Sequence, residues 1–301
     1  MSSLPEQSHC GTLNRLTLIL GMIKFSHTLF ALPFALLGAL LASNQDNRWV
    51  FRPLDWVGIL LCMITARSAA MAFNRLVDRN IDALNPRTAT RHIPAGSLTP
   101  AEVARFTLVN ALLFVAATML FLPRNPWPLI LALPVLGWLL GYSYAKRFTS
   151  LAHLWLGASL AMAPVAAWIA IQGQIAWAPA FLGLAVLTWV TGFDIIYACQ
   201  DEAFDRSAGL NSIPARLGAN RALKLAAGFH LLTIVFLGLV GWTFPLGRIY
   251  GTGVGLAALL LAVEHWLVKP DDLRHVNVAF FNVNIILSIG ILTFAALDLI
   301  F

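Results

Sequence analysis

The feature that most constrains the fold is a series of apolar runs, each about as long as a membrane-spanning helix and almost free of charge. A helix needs about 20 apolar residues to cross the hydrocarbon core of a bilayer. The runs are continuous, whereas the strands of a membrane barrel alternate apolar and polar residues. Only 11% of the 301 residues are charged, against about 25% in soluble domains. The sequence therefore predicts an all-α, polytopic membrane protein.

The apolar runs and the turn residues between them predict nine membrane spans. Their bounds are 24–43, 55–77, 104–122, 128–145, 151–171, 178–199, 223–243, 248–268 and 276–300. We expect these helices to form a single membrane domain, residues 1–301, as a bundle around a central cavity that opens at the cytoplasmic face.

The distribution of basic residues predicts the orientation of the bundle. Arg48, Arg52, Arg124 and Arg248 fall on one side of the predicted membrane, and the other 16 of the 20 lysines and arginines fall on the opposite side or within reach of it. Basic loops remain in the cytoplasm, so we expect a cytoplasmic N-terminus and an external C-terminus. The net charge of +6 is explained by this topology, and we expect no nucleic-acid partner.

A polar stripe follows the end of the second predicted span. Asn74, Asp78 and Asp82 are four residues apart, so they share one face of a helix. Arg67 lies seven residues before Asn74, on nearly the same face and deeper in the span. Because ionisable residues at membrane depth usually serve function, this face is a candidate site.

A second stripe occupies the equivalent end of the sixth predicted span. Asp194, Asp201 and Asp205 are spaced i, i+7 and i+11, and Tyr197 stands at i+3, so one continuous helix would place all four on one face. We expect the two stripes to oppose each other across a cavity. The simpler alternative is that these charges are solvated flanks that pin the depth of each helix.

The residue types in the two stripes suit a divalent cation and an anionic guest. Mg²⁺ binds one or two carboxylates together with waters and substrate phosphates. The candidate metal ligands are Asn74, Asp78, Asp82, Asp201 and Asp205. Neighbouring carboxylates repel one another unless cations balance them, and basic residues occur nearby at Arg67, Arg87, Arg91, Lys146 and Arg147. A diphosphate held by Mg²⁺ and clamped by these cations satisfies both signs of charge.

The two motifs resemble those of the UbiA-type intramembrane prenyltransferases. That family pairs an NxxxDxxxD motif on its second span with a DxxxD motif on its sixth, as the stripes do here. The segments "RTATRHIPAG" at 87–96, "YSYAKRFT" at 142–149 and "FDIIYACQDEAFD" at 193–205 are also similar. The likeness is greatest to bacterial 4-hydroxybenzoate polyprenyltransferase-like members. One departure follows the second motif, where Ser212 matches a family triplet and Ile213 does not.

The resemblance implies transfer of a polyprenyl group from its diphosphate to an aromatic acceptor, 4-hydroxybenzoate-like or naphthoate-like, in ubiquinone or menaquinone biosynthesis. It implies Mg²⁺ as cofactor and a multi-pass protein of the bacterial inner membrane, surrounded by lipid. Asp194 and Tyr197 occupy catalytic positions, with Asp194 orienting the acceptor or taking its proton. The positions for diphosphate or acceptor binding are Lys24, Arg67, Arg87, Arg91, Lys146, Arg147 and Ser212. Candidate rings for stabilising an allylic cation are Phe73, Phe193, Tyr142 and Tyr197.

Three other functions are compatible with the composition. A secondary transporter of an anionic metabolite would carry broken helices at mid-membrane, which the spans lack. A family member could use another acceptor, such as haem, a chlorin or a glycerol-type lipid. An inactive scaffold would not need both motifs intact. The histidines lack metal-ligand spacing, and we expect Glu264 to face the membrane interface.

Overall fold

The computed structural model describes residues 12–23, 28–45, 48–270, 272–273, 276 and 279–301. Over these residues the regular structure is helical. The α-helices are α1 Thr12–Met22, α2 Thr28–Ser43, α3 Pro53–Leu84, α4 Pro100–Thr118, α5 Trp127–Gly141, α6 Ala152–Gln172, α7 Trp177–Ala198, α8 Glu202–Ser207, α9 Ile213–Leu217, α10 Ala219–Thr243, α11 Arg248–Leu267 and α12 Asn284–Ile300. The all-α prediction is confirmed.

The number of spanning helices agrees closely with the prediction. Among the described residues, eight helices are long and apolar enough to cross a membrane. The first predicted span corresponds to α2, whose apolar part, Phe30–Ser43, falls short of that length. The polypeptide is therefore an integral membrane protein. The short helix α1 precedes the bundle and was not among the predicted spans.

Helix α7 forms the centre of the bundle. Most of its residues are buried, whereas the other spanning helices bury fewer than half of theirs, as expected for helices that face lipid. It packs against α6 on one side and α10 on the other, and α2 packs against α6 and α12. Trp168 of α6 and Trp189 of α7 are large side chains at the heart of this core.

Small residues allow α6 to approach its neighbours closely. A Cβ atom on Gly157 would lie 2.5 Å from the carbonyl oxygen of Leu187, on α7. A Cβ atom on Gly38, in α2, would lie 2.3 Å from the carbonyl oxygen of Pro164. Glycine at these two positions lets the backbones meet without a side chain between them, which is how membrane helices often pack.

The ends of two helices differ from their predicted bounds. Helix α3 continues seven residues beyond the predicted end at 77, so Asp78 and Asp82 lie on its last turns. Helix α7 ends at Ala198 and is followed by a 3₁₀ turn, Cys199–Asp201, before α8 begins. The stripe predicted on one continuous helix is therefore divided between the end of α7, the 3₁₀ turn and α8. We call this end of the bundle, with its two groups of aspartates, the acidic end.

The prediction that Glu264 faces the membrane interface is wrong. Its side chain is fully buried near the end of α11. Asn284 Nδ2 donates to Glu264 Oε1 at 3.4 Å, and Trp189 Nε1 donates to Asn284 Oδ1 at 2.7 Å. His230 and His265 hydrogen bond to each other beside this group at 2.9 Å. These bonds join α7, α10, α11 and α12 through polar groups that lipid could not satisfy.

Candidate active site

A large cavity opens from the acidic end into the bundle. Its volume is about 820 Å³, and it lies mainly between α3, α5, α6 and α7. Twelve of the site residues predicted from the sequence line it: Arg67, Asn74, Asp78, Asp82, Arg87, Arg91, Lys146, Arg147, Asp194, Tyr197, Asp201 and Asp205. The two acidic stripes therefore face one shared space, as the sequence predicts.

Two other predicted residues lie elsewhere, and a third is outside the described residues. Ser212 is buried, and its Oγ accepts a hydrogen bond from the Ala215 backbone N–H at 3.3 Å, so it caps α9. Phe73, a candidate for cation stabilisation, packs on Tyr144 on the far side of α3, with ring centroids 6.0 Å apart. Lys24 falls outside the described residues. Neither Ser212 nor Phe73 is part of the described cavity wall.

The loop after α3 joins the two motifs directly. Asn85 Nδ2 donates to Asp201 Oδ1 at 3.2 Å, and Arg87 Nε donates to the same oxygen at 2.8 Å. Arg87 Nη2 pairs with Asp201 Oδ2, and Nη1 donates to the Tyr197 hydroxyl at 2.9 Å. Burial works against the guanidinium charge, but the bonds to Asp201 and Tyr197 outweigh it and raise the pKa of Arg87. Arg87 is therefore a permanent cation between the motifs.

Basic side chains also balance the aspartates of α3. Asn74 Nδ2 donates to Asp78 Oδ2 at 2.8 Å, and Arg147 Nη2 reaches Asp78 Oδ1 at 3.4 Å. Arg91 Nη1 donates to Asp82 Oδ1 at 2.6 Å, from the same loop that carries Arg87. Each carboxylate of the first motif thus has a basic partner, in the way that closely spaced like charges require.

The segment Tyr142–Arg147, a 3₁₀ turn after α5, reaches the second motif. Lys146 Nζ lies 3.7 Å from Asp205 Oδ2. The backbone carbonyl oxygen of Lys146 accepts a hydrogen bond from the Asn211 N–H at 2.8 Å. Lys146 therefore contacts Asp205 of the second motif through its side chain and the loop after α8 through its backbone.

Asp194 lies one turn before the end of α7 and has a partner that the sequence does not reveal. Its Oδ2 is 2.7 Å from His153 Nδ1, on α6. His153 is fully buried behind the cavity wall. The two residues are 41 positions apart, and a histidine without metal-ligand spacing carries no signal of this contact.

Two arginines of α3, Arg67 and Arg75, also line the cavity. Arg67 lines the cavity, and its buried Nε has no hydrogen-bond partner among the described residues. Seven residues at 1.5 Å each place it about 10 Å along the helix from Asn74. Arg75 is buried, lines the same cavity and donates to Asn74 Oδ1 at 3.5 Å. A donor without an acceptor in this position is suited to an anionic group of a bound molecule.

The donor set fits a divalent cation without forming a preassembled metal cage. In the part of the chain that the structure describes, no three His, Cys, Asp or Glu side chains form a metal-binding group. Two buried oxygens, Asp82 Oδ2 and Asp205 Oδ2, have no hydrogen-bond partner within that part. Both residues line the cavity. Carboxylate oxygens with spare lone pairs, from opposite motifs, suit a hard cation that also takes ligands from a substrate.

The inner part of the cavity is apolar. Small residues of α6, including Ala158 and Ala166, line it opposite Leu131, Val135 and Leu139 of α5. Charged groups are concentrated at the acidic end, so the cavity is amphipathic along its length. It is shaped for a molecule with an anionic head and a long hydrocarbon tail.

A membrane helical bundle with a cationic and acidic pocket at one end and an apolar interior is the architecture of a lipid-modifying enzyme. The chain belongs to the UbiA prenyltransferase family, whose model matches residues 31–286. It is 33% identical to a 4-hydroxybenzoate octaprenyltransferase of Tolumonas auensis, over 80% of this chain and 83% of the relative. It is 30% identical to a protein of the same name from Paracidovorax citrulli, over 84% of each chain.

Solved structures share the fold. A UbiA homolog from Aeropyrum pernix, solved in the apo state, superposes with a TM-score of 0.80 at 31% identity, over 90% of this chain and 98% of that one. A homolog from Archaeoglobus fulgidus bound to GPP and Mg²⁺ gives a TM-score of 0.69 at 18% identity, over 94% of this chain and 100% of that one.

Proposed function

We propose that this protein transfers a polyprenyl group from polyprenyl diphosphate to the ring of a 4-hydroxybenzoate-like acid, in quinone biosynthesis. The observation that carries the proposal is the bridge from Asn85 and Arg87 to Asp201. It places both aspartate motifs at the mouth of one amphipathic cavity that also holds Asp194 and Arg67. Relatives named 4-hydroxybenzoate octaprenyltransferase support the choice of acceptor.

The diphosphate head binds at the acidic end. Arg87, Arg91, Lys146 and Arg147 line the cavity there and supply donors for its oxygens. Asp82 and Asp205, with Asn74, Asp78 and Asp201, are the ligands for Mg²⁺, which we assign because all the donors are oxygen. When bound, Mg²⁺ neutralises the negative charge that grows on the departing diphosphate.

The aromatic acid binds deeper, between Arg67 and Asp194. The unpartnered Nε of Arg67 binds the carboxylate, and Asp194 accepts a hydrogen bond from the phenol. This orientation leaves the ring carbon beside the phenol facing the diphosphate. Electron donation from the phenol activates its ortho and para carbons. Because the para carbon carries the carboxylate, the reaction takes place at the ortho carbon.

The reaction replaces one bond to the allylic carbon with another. The C–O bond to the diphosphate breaks, a C–C bond to the ring forms, and the displaced ring proton leaves by way of Asp194 acting as base. The phenol and carboxylate of the acceptor are unchanged. Phe193, Tyr142 and Tyr197 line the cavity and stabilise the allylic cation through their ring faces. The apolar walls exclude water, which would otherwise trap the cation.

A transporter is disfavoured by the same geometry. Its substrate site would lie near the middle of the membrane, between repeated halves. Here the charged groups gather at one end, and the chain belongs to a family of transferases. An acceptor such as a glycerol-type lipid is disfavoured because the relatives at 30–33% identity are named 4-hydroxybenzoate octaprenyltransferase.

The test is an assay of the purified protein with geranyl diphosphate, Mg²⁺ and a panel of aromatic acids. We expect 4-hydroxybenzoate to yield a product heavier by one prenyl group, detected by mass spectrometry. A benzoate that lacks the hydroxyl serves as the matched control and should yield none. Turnover of a naphthoate alone would show that the acceptor is a naphthoate and not 4-hydroxybenzoate. If none of the acids gives a product, the proposal is rejected.

A further inference from the structure

The proposed mechanism does not use the close contact between His153 and Asp194. The His153 ring is fully buried on α6, while the Asp194 side chain is 18% exposed and lines the cavity. His153 Nδ1 and Asp194 Oδ2 are 2.7 Å apart. The carboxylate therefore lies between a buried imidazole and the space for the acceptor.

The tautomer of His153 follows from its second nitrogen. The backbone N–H of Ile213 points at His153 Nε2, at 3.3 Å. A ring nitrogen that accepts a hydrogen bond carries no proton, so the proton of the neutral ring is on Nδ1. His153 thus donates to Asp194 through Nδ1–H, while its far nitrogen accepts from Ile213.

Local packing keeps His153 in reach of Asp194. Gly157 is one turn further along α6, and its close approach to Leu187 brings α6 against α7. Ile213 is the first residue of α9, so its N–H is one of the donors that a helix leaves unpaired. Ser212 caps α9 by accepting from Ala215, which leaves the Ile213 N–H for His153.

We propose that His153 is a positioning residue, which holds Asp194 Oδ2 through its Nδ1–H and presents Asp194 Oδ1 to the acceptor. The inference rests on the proposed function, because it concerns the orientation of the base in that reaction. His153 does not touch substrate. It acts by fixing a carboxylate that would otherwise rotate about two side-chain bonds, and a misplaced catalytic group costs about 100-fold in rate.

The experiment compares three substitutions at position 153, each assayed for prenyl transfer to 4-hydroxybenzoate. His153→Leu removes both hydrogen bonds. His153→Gln reaches the Nε2 position and keeps an acceptor for Ile213, but removes the donor to Asp194. His153→Asn places an amide donor at the Nδ1 position. We expect kcat to fall about 100-fold in Leu and Gln variants and to recover to within about tenfold of wild type in the Asn variant.

Two further measurements separate positioning from a loss of structure. The KM for geranyl diphosphate and the affinity for farnesyl thiodiphosphate with Mg²⁺ should stay within a few-fold of wild type in all three variants. His230→Leu is the matched control, because His230 is also buried in a helix but belongs to the polar group around Glu264. We expect its kcat to be close to that of wild type.

The outcomes are distinct. A folded His153→Gln variant with wild-type kcat would overturn the positioning role, as would an equal loss of kcat and thiodiphosphate binding. If His153→Leu does not fold, the comparison of the Gln and Asn variants decides the question. A wild-type protein that binds the thiodiphosphate but prenylates no aromatic acid would overturn the proposed function and this inference with it.

Discussion

At the scale of single residues, the site is organised by opposite charges. Arg87 bonds to Asp201, Arg91 to Asp82, and Lys146 lies near Asp205. The arginines and the lysine thus balance the charge of the carboxylates. In the proposed reaction the same basic side chains would bind the phosphate oxygens, and the carboxylates would hold the cation.

The aspartates are predicted to be indispensable for transfer. Asp78→Asn and Asp201→Asn keep the side-chain volume but remove the charge that binds the cation, so we expect kcat/KM to fall by at least about 100-fold. Turnover of geranyl diphosphate in detergent measures this.

A matched control for the aspartates is available at the same end of the bundle. Glu102 is absent from the described cavity wall and accepts from the Thr99 N–H in the capping box of α4. Glu102→Gln should retain near wild-type turnover. Full turnover in both aspartate variants would refute the diphosphate site.

Arg67 is predicted to recognise the acceptor and not the donor. Arg67→Leu keeps the apolar stem but removes the guanidinium, so the KM for 4-hydroxybenzoate should rise about tenfold or more, as expected for loss of a hydrogen bond to a charged group. The KM for geranyl diphosphate should change little. Steady-state kinetics with each substrate varied in turn give both values. An equal rise in both would place Arg67 in the diphosphate site instead.

Part of the site could be predicted from sequence because helical spacing places like groups on one face. The basic residues of the loop after α3 and of the 3₁₀ turn after α5 are predicted instead from their nearness in sequence and from the family resemblance. Asn74, Asp78 and Asp82 are adjacent along α3, so their shared face is local information. The contact between His153 and Asp194 joins two helices across 41 positions and leaves no trace in spacing. Ser212 is in the right segment, but its hydroxyl is used to start α9.

At the scale of helices, close packing around α6 is the most constrained feature. Gly38→Ala should lower the melting temperature by several degrees, because the new methyl group would meet the carbonyl oxygen of Pro164 at 2.3 Å and overpacking costs about 1–3 kcal/mol. Thermal unfolding in detergent measures the change.

The matched control for this substitution lies on α5. Gly137 has nothing within 4 Å of where its Cβ would lie, and alanine is the better helix former by about 1 kcal/mol. Gly137→Ala should therefore leave the melting temperature unchanged or raise it. No loss in the Gly38→Ala variant would show that α2 and α6 can separate without cost. A similar loss in both variants would show that the contact with Pro164 is not its cause.

The spanning helices could be predicted because apolar length decides them, but their ends at the acidic end could not. The second predicted span ends at 77 because the apolar run ends there, yet α3 continues to Leu84. The bond from Asn74 to Asp78, one turn apart on α3, and the bond from Arg91 in the following loop to Asp82 support these turns. The 3₁₀ turn at Cys199–Asp201 likewise brings Asp201 to Arg87 in a way that helical periodicity does not predict.

At the scale of the whole molecule, the metal is expected to serve activity more than folding. Removal of divalent cations with EDTA should abolish turnover, and Mg²⁺ should restore it. Mg²⁺ alone should change the melting temperature little, because basic side chains already balance the carboxylates. Mg²⁺ with farnesyl thiodiphosphate should raise it, since ligands stabilise the state that they bind. Turnover that survives EDTA would reject the metal site.

The orientation in the membrane is a second prediction at this scale. Ser207 is exposed at the acidic end, and Ile175 is exposed in the loop between α6 and α7, at the opposite end. In a protein without its native cysteines, a membrane-impermeant maleimide added to intact cells should label Ile175→Cys and spare Ser207→Cys. The reverse pattern would place the acidic end outside.

Asp194 and Asp201 lie seven positions apart on one stretch of chain that begins in the buried helix α7. In the proposed reaction that stretch would fix the distance between the diphosphate of the donor and Asp194, the proposed base, whatever the length of the hydrocarbon tail. We therefore expect the rate of bond formation not to depend on the length of the donor's hydrocarbon tail. Donors with short and long tails should share one limiting turnover number, and discrimination between them would appear only in how readily each enters from the bilayer.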